Sequence, residues 1–153
     1  MIIYSLNGVT TNVKLSFLLK RRPSVEIYTH QQIDRELCGE PVEMADGYCL
    51  VRLAATASMV TDNSGLIHGG FVFGAADYAA MLAVNHPNVV LGAANVKFLN
   101  PVQVNDTIVA EAKIQQTEGK KRLVSVTVWR DEEKVFEGEF TCFVPDRHVL
   151  SPS

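Results

Sequence analysis

One stretch limits the fold more than any other in this 153-residue chain: GGFVFGAADYAAMLAVN, Gly69 to Asn85. Ala75, Ala76, Ala79, Ala80 and Ala83 favour helix, and Asn85 followed by Pro87 ends it. A helix that is apolar nearly all round must be covered on most sides. It holds an aspartate and is too short to span a membrane, so the cover has to come from the rest of the chain.

That cover reads as strands. Between 48 and 59 the odd positions are Cys49, Val51, Leu53, Ala55, Ala57 and Met59, one apolar face at strand period. Residues 89–99 repeat the pattern with Val90, Ala94, Val96 and Phe98. Three further runs follow closely: 107–116 (Ile108, Ala110, Ala112, Ile114 inward), 121–130 (Val124, Val126, Val128) and 134–144 (Phe136, Phe140, Cys142, Val144). Short links at Glu118-Gly119 and Asp131-Glu132-Glu133 suit hairpins, so the strands should be antiparallel and half-buried. Ahead of them a short helix is expected. Thr29 and Gln32 have capping-box spacing, Ile33 and Leu37 share a face, and Gly39 with Pro41 stops it. The order is short helix, strand, buried helix, four strands. It predicts the α+β class, one antiparallel β-sheet wrapped around a long central helix.

Composition narrows the function classes. With 47% apolar and 20% charged residues the chain can bury a core, and one domain suits its length. A net charge of −3 argues against a nucleic-acid binder. Cys38, Cys49 and Cys142 are odd in number and form no CxxC, which excludes a disulfide scaffold or cysteine zinc cluster and fits a reducing cytoplasm. No segment reads as a signal peptide, a membrane span or a metal motif. Residues 1–25 hold Lys14, Lys20, Arg21 and Arg22 and no acid. They are expected to be a basic extension, solvated rather than bound to an anionic partner, with the main domain over 26–146 and a tail over 147–153.

The chemistry gathers around Asp77, the sole ionisable group between His68 and His86. A carboxylate on a buried helix costs several kcal/mol unless it is paired or used. It is either a structural group, satisfied by backbone or by a hydroxyl such as that of Tyr78, or a nucleophile or general base with a tuned pKa. Ser64-Gly65-Leu66-Ile67-His68-Gly69-Gly70 leads directly into the helix. Gly69 and Gly70 let a ligand approach the backbone, and the free N–H groups of a first turn suit an oxyanion. His68 either orients an acyl group or caps loop backbone. Lys120, Lys121 and Arg122, the one compact basic cluster outside the N-terminal arm, are either solvated hairpin charges or a clamp for ligand phosphates. Asn95 and Lys97 are weaker pocket candidates, and Phe71 and Phe73 are read as core.

His68-Gly69-Gly70, with an aspartate nine residues after the histidine in a helix of small residues, resembles the hotdog-fold acyl-CoA thioesterases of the phenylacetyl-CoA thioesterase (PaaI) type. The resemblance spans about residues 29–144. It implies the hotdog fold and a homodimer or dimer of dimers with shared sites. It also implies Asp77 as nucleophile or general base, and the N–H of Gly69, with Gly70 adjacent, polarising the thioester carbonyl. The family often places an asparagine where this chain has Asp62, with Asn63 one residue late. Many members supply a hydroxyl where Val90, Leu91 and Gly92 stand. LGAANVKFLNPV, VAEAKIQQTEGKKRLVSVTV and EKVFEGEF are also similar to the acyl-CoA-binding hotdog domain of the malonyl-CoA-responsive lipid-synthesis repressors.

The leading expectation is therefore a cytoplasmic acyl-CoA thioesterase that needs no metal or cofactor, takes a CoA thioester as substrate and self-associates. Its site would combine Asp77, Gly69, Gly70 and His68 with substrate contacts from Asp62, Asn63, Asn95, Lys120, Lys121 and Arg122. The main alternative is a non-catalytic acyl-CoA sensor, to which Asp62 and the missing hydroxyl point and against which Asp77 stands. A dehydratase on the same fold ranks third, and a purely structural protein last.

Overall fold

The structure, a computed structural model, describes residues 25–152. The basic extension expected over 1–25 lies outside the described residues, apart from its last residue. A one-turn helix α1 (Arg35–Cys38) leads to β1 (Glu40–Ala45), β2 (Tyr48–Ala54), a 3-10 turn at Ala57–Met59 and the long helix α2 (Gly69–Val84). Then come β3 (Val90–Phe98), β4 (Thr107–Glu118), β5 (Lys121–Arg130) and β6 (Glu133–Phe143). The six strands form one antiparallel sheet in the order β1-β2-β4-β5-β6-β3. Helix α2 lies across one face of it, against β2, β4 and β5 above all. The α+β expectation holds: this is the hotdog fold.

The alternation seen in the sequence becomes the core. Cys49, Val51 and Leu53 of β2, Ile108, Ala110 and Ala112 of β4, Val124, Val126 and Val128 of β5, and Phe136, Phe140 and Cys142 of β6 are all buried. The opposing residues of α2 are small: Ala75, Ala76, Ala79 and Ala80 are fully enclosed, so the backbone sits close to the curved sheet. Each fully buried Val or Leu contributes about 1.5–3 kcal/mol, and such contacts rather than helix propensity hold α2 in place. Asn85 ends it as expected. Its backbone takes the left-handed conformation (φ 49°, ψ 51°), and its N–H donates to the Met81 carbonyl. Its side chain also ties down the incoming chain, accepting from the Tyr28 N–H and donating to the Glu26 carbonyl, both at 2.8 Å.

Three local expectations are corrected. The short helix is not capped by Thr29 and Gln32. Thr29 is buried against His30, and Asp34 caps instead, accepting from Glu36 and Leu37, so only one turn forms. The strand expected over 48–59 stops at Ala54, where the chain turns into the 3-10 segment and exposes Ala57. A strand goes unread in the sequence: β1 pairs with β2 through a turn at Asp46-Gly47, with Gly47 at φ +70°. The third run also differs in burial. β3 pairs only with β6, and Ala93, Ala94, Asn95 and Phe98 are exposed along it.

Candidate functional site

The loop before α2 is pinned on three sides. Ile67 N–H donates to the Val102 carbonyl and His68 N–H to the Met59 carbonyl, both at 2.9 Å, and Val104 N–H reaches back to Gly65 at 2.9 Å. At its tip Asp62 accepts the Ser64 N–H at 2.8 Å, and the Ser64 hydroxyl, together with that N–H, holds its carboxyl below the usual carboxylate range. Asp62 thus shapes the turn, and Asn63 stands exposed beside it.

His68 occupies the position before the helix with extended backbone, and its side chain does not cap the first turn. The ring lies over the helix start: a Cβ at Gly70 would meet His68 Nε2 at 2.9 Å. A Cβ at Gly69 would lie 3.0 Å from the ring of Phe98. Both glycines therefore sit at close approaches, Gly70 to the His68 ring and Gly69 to the end of β3. The first-turn N–H groups of Gly69 and Gly70 have no intrahelical carbonyl to reach and carry the positive end of the helix dipole.

Two turns on, Asp77 projects from a stripe of α2 that the core leaves less covered. Phe73, Gly74 and Asp77 are half-buried, and a Cβ at Gly74 would meet nothing within 4 Å. Asp77 Oδ1 is enclosed yet has no hydrogen-bond partner among the described residues, and burial pushes the carboxyl up to about 6. The Tyr78 hydroxyl does not serve it; it too is buried without a partner, as expected for neighbours that leave a helix in different directions. Burial raises the thiols of Cys38 and Cys142, and the Asp77 charge adds to it, for Cys38 after that of Asp34. A half-buried, unsatisfied carboxyl raised in this way can act chemically as a general base or nucleophile.

The remaining candidates are spread out. Phe73 packs on Phe140 and Phe136, with ring centroids 5.5 and 6.4 Å away, and Phe71 packs edge-on to His68. Asn95 and Lys97 sit exposed on β3, opposite Glu139 and Glu137. The basic hairpin is at the other end of the sheet from Gly69. Lys121 pairs with Phe143, which pairs with Val90, whereas the helix start touches Phe98. From Lys121 to Val128, the β5 residue level with Phe98, seven residues at ~3.3 Å each put about 23 Å between the two. Lys120 forms an ion pair with Asp146, and Arg122 donates to the Gly119 and Lys121 carbonyls at 2.7 and 3.1 Å. Among the described residues no three His, Cys, Asp or Glu side chains group as metal ligands, and no helix is long and apolar enough to cross a membrane. Phe98, which walls the helix start, was not singled out in the sequence as a site residue. Its signal was an aromatic ending a strand just before Asn100-Pro101.

The model of the thioesterase superfamily matches residues 64–137, the stretch that contains the helix start, Asp77 and β3 to β5. A solved structure of an uncharacterized protein, PH1136 from Pyrococcus horikoshii, is 53% identical with a TM-score of 0.82, covering 83% of this chain and 98% of that one. Among curated proteins, methylthioribose-1-phosphate isomerase of Aquifex aeolicus is 55% identical over 123 residues, 80% of this chain but 27% of that protein. Transcription factor FapR of Caldanaerobacter subterraneus subsp. tengcongensis is 29% identical over 106 residues, 69% of this chain and 53% of that one. The chain thus spans about a quarter and about half of these two curated relatives. With this fold, this helix start and this match, the chain belongs to the hotdog-fold thioesterase superfamily.

Proposed function

We propose that the protein is an acyl-CoA thioesterase that hydrolyses a CoA thioester to a carboxylic acid and CoA. The observation that carries this proposal is Asp77, an enclosed, unpartnered carboxyl raised to about 6, on the same helix whose first turn offers free N–H groups at Gly69 and Gly70. The thioester carbonyl oxygen sits on those N–H groups, with His68 orienting it. Asp77 takes a proton from water as the oxygen attacks the carbonyl carbon, and the helix start stabilises the oxyanion. The tetrahedral intermediate then collapses, the C–S bond breaks, and the CoA thiolate takes up the proton.

One chain cannot complete this site. Gly69 and Asp77 are eight residues apart, about 12 Å at ~1.5 Å per residue, so they cannot both reach one carbonyl. A second copy solves the problem if β3 pairs antiparallel with its own counterpart, near Asn95. The two α2 helices then run side by side in opposite directions, and Asp77 of one copy works on a carbonyl held by the other. The same operation carries the Lys120–Arg122 hairpin of one copy, two strands or about 10 Å in from the edge, to the helix-start end of the other. There it serves the phosphates of CoA, with Asp62 and Asn63 beside the incoming arm. Asn95, at the crossing, lines the shared space.

The test is CoA thiol release against a panel of acyl-CoAs, with Asp77→Asn alongside. Turnover that falls by about 10²–10⁴ in the variant, the usual worth of a general base, supports the proposal. Similarity to a transcription factor favours a second possibility, an acyl-CoA sensor. Thermal stabilisation by acyl-CoA without thiol release would install it.

A further inference from the structure

A cleft of about 370 Å³ opens beside the helix start, walled by Gly69 and Val72 of α2, by Phe98 and Leu99 at the end of β3, and by Val102 and Val135. None of its lining residues carries a charge. The only polar side chain among them is Asn100, whose amide already donates to the Lys134 carbonyl at 2.8 Å. The cleft is continuous with the proposed oxyanion site, because the Phe98 ring rests directly on Gly69. We propose that this cleft takes the acyl group and selects neutral, apolar acyl chains of about ten heavy atoms or fewer over dicarboxylic ones. This proposal rests on the thioesterase assignment for its ligand but not on turnover.

The physical reason is desolvation. A distal carboxylate in this cleft would leave water and find neither a cation nor a free donor among the lining residues, the partner's hairpin cations being engaged with the CoA phosphates, whereas a methyl or aryl end loses nothing. The size follows from volume: at about 30 Å³ for a water-sized group, the cleft holds on the order of ten such groups.

Binding of non-hydrolysable thioethers tests this separately from catalysis. S-pentyl-CoA should bind wild-type protein at least tenfold more tightly than S-(4-carboxybutyl)-CoA or CoA alone. Leu99 is 41% exposed, so Leu99→Arg can fold and place a cation in the wall; it should erase or reverse that ratio, while Leu99→Gln should keep it. Equal binding of the two thioethers, no gain of S-pentyl-CoA over CoA, or an unchanged ratio in Leu99→Arg would each overturn the proposal. If the thioethers discriminate as expected but no acyl-CoA releases thiol, the cleft assignment survives and the thioesterase assignment fails.

Discussion

The two edges of the sheet are built to opposite specifications. β1 is six residues long, broken by a register shift at Pro41/Glu43, and carries Glu40 and Glu43, with Glu40 held by Arg35 at 3.1 Å. β3 has nine residues. Its irregularity falls near its start, at Leu91/Ala93, and from Ala93 to Phe98 it runs regularly with Lys97 as its one charge. Short, acidic, proline-bearing edges repel a further strand, whereas long, neutral ones invite it. Phe98, 56% exposed at the end of the open edge, lies against the glycine that begins α2. The edge that is left open is the one that touches the candidate site, so on the proposed function assembly and chemistry would be coupled at β3 and not at β1.

The largest effect should come from closing that edge. Ala93→Lys with Ala94→Lys places like charges across the proposed two-fold axis. The variant should sediment as a monomer and lose thiol release by 100-fold or more, since no chain then holds a whole site, on the order of the loss from deleting a catalytic group. Glu43→Lys on β1 should change neither. A dimeric double variant would show that β3 is not the joining edge.

Next is the helix start. His68 already has the extended backbone that a following proline requires (φ −62°, ψ 128°), and proline is tolerated at a first helical position. With the exposed Phe98 ring giving by a few tenths of an ångström to the added Cβ, Gly69→Pro should keep α2 while deleting one oxyanion donor, lowering kcat by about 10²–10³ with far-ultraviolet circular dichroism unchanged.

The pH dependence is smaller and has a definite sign. Asp77 is raised from 3.8 to about 6 by burial, so the folded state binds its proton more tightly than the unfolded chain does. Its ionisation costs stability progressively between about pH 4 and 6, and above that the full cost is present. Asp77→Asn should raise unfolding stability by about 1–2 kcal/mol at pH 8 and by nothing measurable at pH 3. In the wild type, kcat/KM should climb with pH to a plateau with an apparent pKa near 6. A flat profile would remove Asp77 from the proton transfer.

The smallest expected change is at the basic hairpin. Lys121→Ala or Arg122→Ala should raise KM about two- to fivefold and leave kcat alone, in line with the ~0.2–1 kcal/mol of exposed charge pairs. Raising salt should shrink the difference.

Much of this was legible in the sequence because strands with one wet face advertise their period. β2, β4, β5 and β6 carry their buried residues at the alternation positions, and the all-apolar helix could only be central. β1 escaped because Glu40-Pro41-Val42-Glu43 has no alternation, although Asp46-Gly47 marked its turn. The short helix was misread because Thr29 and Gln32 match a capping box by spacing alone, while Asp34 makes the bonds. β3 looked like its neighbours in period, and its exposure could not be read from that pattern, since an edge strand and an inner strand carry the same alternation. Asp77 stood out as the lone charge in its helix, but the contact of Phe98 with Gly69 joins residues 29 positions apart and is a product of tertiary structure.

The central claim is that Asp77 of one copy acts on a carbonyl held by the helix start of another. Mixing Asp77→Asn and Gly69→Pro proteins, each inactive alone, tests it directly. After denaturation and joint refolding, about half the dimers should be mixed, and each should hold one site with both groups intact. Thiol release should then recover to about a quarter of the wild-type value. No recovery, with mixed dimers confirmed by mass, would place both groups in the same chain's site and contradict the account.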